Sequence, residues 1–412
     1  MSAGALNRIR KAVWTALALG LVSAAVRSDD WPGWRGPRQD GVSLEEGLPA
    51  RLNLKETLRY KAELPGRGLS CPIAVGGRVF ITASSGWRDE RLHVLAFDAR
   101  SGRKLWERRF EATGGTQCHE KTCMAAPTPA WDGERLYALF ATFDLFAFDG
   151  AGQLLWYRSL ARDYRELSNQ VGFASSPVPI RGGLLAILDT DSEALAIAFD
   201  GPSGRNLWSA PRARGIFWAS PIVLDGEAPV ALLPSPKGLN ARAARTGESL
   251  WTWEGGLDAI ASPVTGEGTI YMPGGELVAL ELPKSGTDPV VRWKTNRLRA
   301  STASPLVLDG KAYAVNSAGV ITCAGTGNGE VLWQERLKGP FSASPVAGGG
   351  RIYCVNEEGL TFVLDPRVEP RTVEKGELGE TVLASPAISN GLVYVRSDRH
   401  LFAFGAPEGH AR

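Results

Sequence analysis

"LAFDARSGRKLW", residues 95–106, decides how this 412-residue chain is read. Asp98, Ser101 and basic residues crowd around Gly102, and Trp106 closes the stretch. Taken alone it resembles a site. It returns, however, as "LFAFDGAGQLLW" (145–156), "AIAFDGPSGRNLW" (196–208) and "LNARAARTGESLW" (239–251), with looser copies at 277–293 and 319–333. A pattern that recurs at a steady period is a unit of construction. Asp98 and Ser101 are then expected to offer side-chain oxygens to turn amides, and Gly102 to take the positive φ that closes a hairpin. Trp106 opens an outer strand where its ring can wedge between adjacent sheets.

A second signature lies about thirty residues upstream of each copy. It runs from "SCPIAVGG" (70–77) and "AAPTPAWDG" (125–133), through "SSPVPIRGG" (175–183) and "ASPIVLDG" (219–226), to "ASPAISNG" (384–391). There are eight such copies, and their spacing settles near about 42 residues. Each unit reads as four short strands by its period-two alternation, and no window sustains a helical period. Four-stranded units of about 40 residues, repeated, define an all-β fold, a β-propeller of eight four-stranded antiparallel blades. The eighth unit stops at "HLFAFG" (400–405) without a tryptophan strand, while "ETLRYKAELPG" (56–66) resembles an outer strand with Tyr60 in the tryptophan's place. The N-terminal strand is therefore expected to complete the last blade and remove the open edge. The docking residues are then Tyr60, Trp106, Trp156, Trp208, Trp251, Trp293 and Trp333.

Composition agrees with many strands and turns: 48 glycines, 26 prolines, 13 tryptophans and only 3 methionines. With 46 basic and 44 acidic residues, no global field attracts nucleic acid or anionic lipid. Arg8, Arg10 and Lys11 precede an apolar run, Ala12 to Val22, and then small residues, the order of a secretory signal peptide. The run is short for a membrane span, and no cysteine precedes Cys71 to carry a lipid. The expected divisions are a signal peptide (1–28), an extended segment (29–56), the propeller (57–405) and a tail (406–412). The mature chain is expected in the periplasm or secreted, without a membrane span, as a monomer.

"AFDARSGRKLW" and "ARAARTGESLW" resemble, with substitutions, the Ala-x-Asp-x-x-Thr-Gly-x-x-x-Trp unit of the pyrroloquinoline-quinone (PQQ) repeat family, and "DWPGWRGPRQDGVS" (30–43) is similar to the lead-in of its exported members. The resemblance implies one of two branches. Quinoprotein dehydrogenases hold PQQ and calcium on the propeller axis; non-enzymatic propellers include the BamB-like component of outer-membrane β-barrel assembly. In the first branch the quinone is capped by a disulfide between adjacent cysteines, its carboxylates meet basic side chains, and calcium is held by Glu and Asn near an Asp base. No Cys-Cys dipeptide occurs here. The expectation is a binding or assembly scaffold without cofactor, whose partner is a protein or another extracytoplasmic ligand at the loop face. The alternative is a PQQ- and calcium-dependent oxidoreductase acting on alcohols or sugars.

In a propeller the loops entering the inner strands converge at one end of the axis. The longest of them, "EATGGTQCHEKTCMAAP" (111–127), carries Gln117, Cys118, His119, Lys121 and Cys123. Cys118 and Cys123 form a candidate disulfide in an oxidising compartment; with His119 they also number three potential zinc ligands, but no fourth ligand is evident and no metal site is assigned. The next entering loop supplies Asn169 and Gln170, and Trp218 stands just before an inner strand, as pocket wall or channel plug. These six, Gln117, His119, Lys121, Asn169, Gln170 and Trp218, are the candidate ligand-binding residues. Arg292, Lys294, Arg297 and Arg299 read as a solvated strand face, with docking of an acidic partner as the functional alternative.

Overall fold

The computed structural model describes residues 30–168, 171–257, 260–283, 287–367 and 373–407. The expected signal peptide and residues 408–412 lie outside them. Middle strands such as Leu136–Leu139 and Asp144–Phe148 are buried throughout, because a sheet covered on both faces needs continuous apolar runs. Outer strands such as Ser249–Glu254 alternate between exposed and half-buried positions.

Eight antiparallel sheets of four strands result. In chain order the blades comprise residues 73–111, 130–159, 178–211, 222–254, 264–295, 306–336, 346–377 and, for the eighth, 387–405 together with 58–63. In the first seven the strands follow one another outward from the axis. The eighth closes as expected: Leu58–Glu63 hydrogen-bonds along His400–Gly405, with Tyr60 opposite Ala403. At the same seam, Glu380 accepts from Lys61 Nζ (2.8 Å) and Ser397 Oγ (2.5 Å) and pairs with His400 Nδ1 (2.9 Å).

The opening motif performs two functions. Asp98 Oδ1 accepts from Ser101 N (2.9 Å) and Ser101 Oγ (2.7 Å), while Gly102 has φ +69°. The glycine also leaves room for the neighbour. A Cβ at Gly152 would lie 2.6 Å from the Trp106 ring, because the tryptophan of the first blade lies on the turn glycine of the second. Tyr60 lies on Gly102 in the same way, Trp156 on Gly204, Trp208 on Gly247 and Trp293 on Gly329. Each of these indoles donates to a carbonyl of the turn it covers: Trp106 to Gly150 (3.3 Å), Trp156 to Gly201 (2.7 Å), Trp208 to Ala244 (2.9 Å) and Trp293 to Thr326 (2.7 Å). Trp251 and Trp333 occupy the equivalent outer strands and pack against apolar clusters shared between their own blade and the next. These four tryptophans are thus both packed and hydrogen-bonded, whereas the buried Tyr60 hydroxyl finds no partner among the described residues.

The segment before the first strand is a strap. Trp31 exchanges backbone hydrogen bonds with Ala74 of the first blade (2.6 and 2.9 Å), and Gln39 Oε1 accepts Val223 N of the fourth (3.0 Å). Arg35 Nη2 donates to Pro305 O, just before the sixth (2.6 Å), and Ser43 N to Ala347 O of the seventh (2.7 Å). A segment of this length can meet inner strands on opposite sides of the ring only by crossing the axis. It closes the channel at the end away from the entering loops.

Candidate functional site

Each of the eight signatures places a small polar residue directly before a proline. Proline forces that residue into an extended conformation, and the inner strand it starts has a free edge facing the axis, whose N–H groups need acceptors. The structure supplies them from the next blade. Cys71 N donates to Thr128 Oγ1, Thr128 N to Ser176 Oγ and Ser176 N to Ser220 Oγ. The series continues through Ser262, Ser304, Ser344 and Ser385, with every donor–acceptor distance between 2.8 and 3.0 Å. Ser385 stands beside the Cys71 thiol, so the series runs through all eight blades. The role of these serines was not read from the sequence, where they served only to mark strand starts. The signal was present: a hydroxyl or thiol recurs at one register in every copy.

A cavity of about 400 Å³ lies on the axis. Hydroxyls of the ring and Trp34 of the strap line its inner end; Leu69, Trp218, Ile260 and Leu383 form apolar walls. His119 and Lys121 line it from the long entering loop. That loop reaches across the mouth: Lys121 Nζ pairs with Glu357 Oε2 of the seventh blade (2.9 Å), whose other oxygen accepts from Ser342 Oγ (2.7 Å). His119 Nδ1 accepts Lys121 N (3.1 Å), which fixes the loop's turn. Three of the six candidate residues, His119, Lys121 and Trp218, therefore share one cavity. Gln117 is exposed and does not line it. Asn169 and Gln170 lie outside the described residues. Trp34, which had no place among the candidates, sits at the inner end because the strap folds back along the channel, a contact no local pattern encodes.

The structure holds Cys118 and Cys123, the pair of the expected disulfide, as free thiols, along with Cys71 and Cys354. Cys123 is fully buried in the core between the first two blades, and Cys118 is turned toward the Thr122 carbonyl (3.7 Å). Burial raises both thiols, Cys123 to about 11, so neither is poised as a thiolate ligand or nucleophile. Among the described residues no group of three or more His, Cys, Asp or Glu side chains is arranged to hold a metal. In the basic stretch, Arg292 donates to Thr269 Oγ1 (2.9 Å) and Lys294 faces Glu276 at 3.5 Å, on an exposed outer strand.

Two arginines are buried in the fold, and neither lines the cavity. Arg35 is fully buried in the strap; its Nη2 meets the Asp40 and Pro305 carbonyls, while Nε and Nη1 find no partner among the described residues. Burial lowers its guanidinium to about 10, partly opposed by Asp40 and Cys71. Arg396, equally buried, leaves Nε and Nη2 unpartnered among the described residues. No Asp or Glu lines the cavity among the described residues.

The family model described as outer membrane protein assembly factor BamB matches residues 55–227, 165–328, 290–368 and 319–412, which together span all eight blades. The chain belongs to the BamB family. A BamB from Yersinia pestis is 23% identical over 288 residues, covering 65% of this chain and 70% of that protein. The crystal structure of BamB from Moraxella catarrhalis superposes with TM-score 0.63 at 16% identity, over 87% of this chain and all of that one. Quinohemoprotein alcohol dehydrogenase from Comamonas testosteroni superposes with TM-score 0.70 at 12% identity, covering 93% of this chain and 81% of the enzyme. At such identities the two superpositions speak for the fold.

A quinone with calcium does not fit this BamB-family site. The adjacent cysteines of a disulfide cap are absent from the sequence. The cavity offers no carboxylate to a calcium ion among its described lining residues, and a tryptophan of the strap takes up its inner end. No redox step is derived through it.

Proposed function

We propose that this chain is an exported, non-enzymatic scaffold for the assembly of outer membrane proteins, acting from the periplasmic side as a monomer without bound cofactor. The observation that carries the reading is the BamB-family match across every blade. An axial site unsuited to quinone and calcium supports it. The loop face is the docking surface in this reading, and Trp87, 94% exposed at the tip of a hairpin there, is its first anchor. Indole rings on rigid turns are common centres of binding energy. Gly86 (φ +101°) and Asp89 (φ +58°) shape that turn, and Glu90 Oε2 accepts Arg88 N (2.8 Å).

The reading is tested by deleting the gene in its own organism and measuring folded β-barrel proteins in the outer membrane. Reduced levels are expected, restored by the wild-type chain and poorly by Trp87→Ala. Unchanged levels, together with dye reduction by purified protein given PQQ, calcium and an alcohol or sugar, would replace the scaffold with an oxidoreductase.

A further inference from the structure

We infer that the axial cavity is a binding site for a carboxylate carried on an apolar body. This goes beyond the scaffold reading and does not depend on it.

Donors dominate the inner end. Ser176, Ser220, Ser262 and Ser304 line the cavity, and the Oγ of each already accepts a backbone N–H from the preceding blade. A hydroxyl held in that way keeps its own proton to donate. The ring is therefore a circle of hydroxyl donors around one axis, an arrangement that suits the oxygens of an anion. Each oxygen has one of its two lone pairs already engaged.

Charge points the same way. Arg35 donates to the Pro305 carbonyl, one residue beyond the ring's Ser304, and lies within electrostatic reach of the ring's Cys71, on another side of the circle. Its guanidinium is not among the groups that line the cavity; it stands behind the ring next to Ser304 and acts on the axis through its charge. Asp40, the carboxylate that most favours its charge, is itself held by Arg38 Nε (2.8 Å) and Val42 N (2.9 Å). At the mouth, Glu357 is already engaged by Lys121 and Ser342. A buried, incompletely bonded guanidinium is costly, and an apolar side chain of similar volume is often as stable or more so. Its retention next to a donor ring is what an anion site requires. The apolar part of the ligand follows from Leu69, Trp218, Ile260 and Leu383, which share the lining with the polar His119 and Lys121 of the entering loop. The volume admits one ring-sized group with its carboxylate directed inward.

Free small acids and the C-terminus of a polypeptide share this chemistry. Calorimetric titration of the full chain separates them, with phenylacetate against phenylacetamide and a glycine-rich pentapeptide ending in phenylalanine as free acid against its amide. Each acid that binds is expected to do so at least about tenfold more tightly than its amide. Binding by both acids identifies a chain terminus as an acceptable occupant; binding by phenylacetate alone restricts the site to small free acids. Arg35→Met should abolish the preference for acid without lowering the melting temperature, and Arg35→Lys should keep it. If Arg35→Met does not fold, the double variant Ser262→Ala, Ser304→Ala serves, with acid affinity expected to fall severalfold. Acid and amide titrating alike, absence of saturable binding by either acid, or an acid preference that survives these substitutions would overturn the inference. A protein that binds acids although its deletion spares outer membrane proteins would lose the scaffold reading and keep this site.

Discussion

Tryptophan does opposite things at the perimeter and on the axis. Trp106 fills the space over Gly152, and its indole N–H is satisfied by Gly150. Trp34 and Trp218 border a cavity, and their indole N–H groups find no partner among the described residues. Evolution leaves few buried donors unsatisfied where only stability is at stake. The difference holds between these indoles, although Trp31 Nε1 of the strap and the Tyr60 hydroxyl of the seam are also buried without a partner among the described residues.

The largest test of that division concerns closure. A chain beginning at Ser70 lacks both strap and closing strand, which leaves the eighth blade with an open edge; it should lose cooperative thermal unfolding. A chain beginning at Lys55 lacks only the strap and should unfold cooperatively at a lower temperature. If both behave alike, the closing strand is not what completes the ring.

Single rings come next. Trp106→Ala should cost about 3–5 kcal/mol in denaturant melts, through lost contact and a residual cavity. Trp218→Ala should cost under about 1 kcal/mol, since that ring already borders empty space. The reverse order would dissolve the contrast between perimeter and axis.

The seam has its own signature. Burial alone would raise Glu380, yet the hydrogen bonds from Lys61, Ser397 and His400 outweigh it and bring the carboxyl down to about 2. A carboxylate depressed on folding contributes stability that is fully present above its unfolded value, near about 4.3, and is lost as pH falls toward 2. Glu380→Gln should therefore cost about 2 kcal/mol near neutral pH and flatten the acid limb of the stability curve. A parallel acid limb in wild type and variant would remove the seam from the account.

The smallest effect belongs to the ring. Ser262→Ala leaves Ser220 N–H buried without its acceptor and should cost about 1–2 kcal/mol. Ser262→Cys should cost less, because Cys71 occupies an equivalent place in the wild-type circle. Equal losses for the two would mean that packing, and not the hydrogen bond, makes the link.

The architecture was legible in the order of residues. Asp98, Gly102 and Trp106 specify a turn and an outer strand by local chemistry, and eight registered copies specify the propeller. Even the closing strand follows from counting, since the last copy lacks what residues 56–66 supply. Half of the cavity lining among the candidates was legible too, because His119, Lys121 and Trp218 belong to segments entering inner strands. What escaped depends on contacts between residues far apart in the chain. Arg35 and Pro305 meet across 270 positions. The free thiols of Cys118 and Cys123 reflect how the core orients them and not how they are spaced. Repetition fixes the shape of each blade because its hydrogen bonds lie within some forty residues. The chemistry of the axis is settled only when eight blades and a strap converge there, since each link of the serine series joins two different copies.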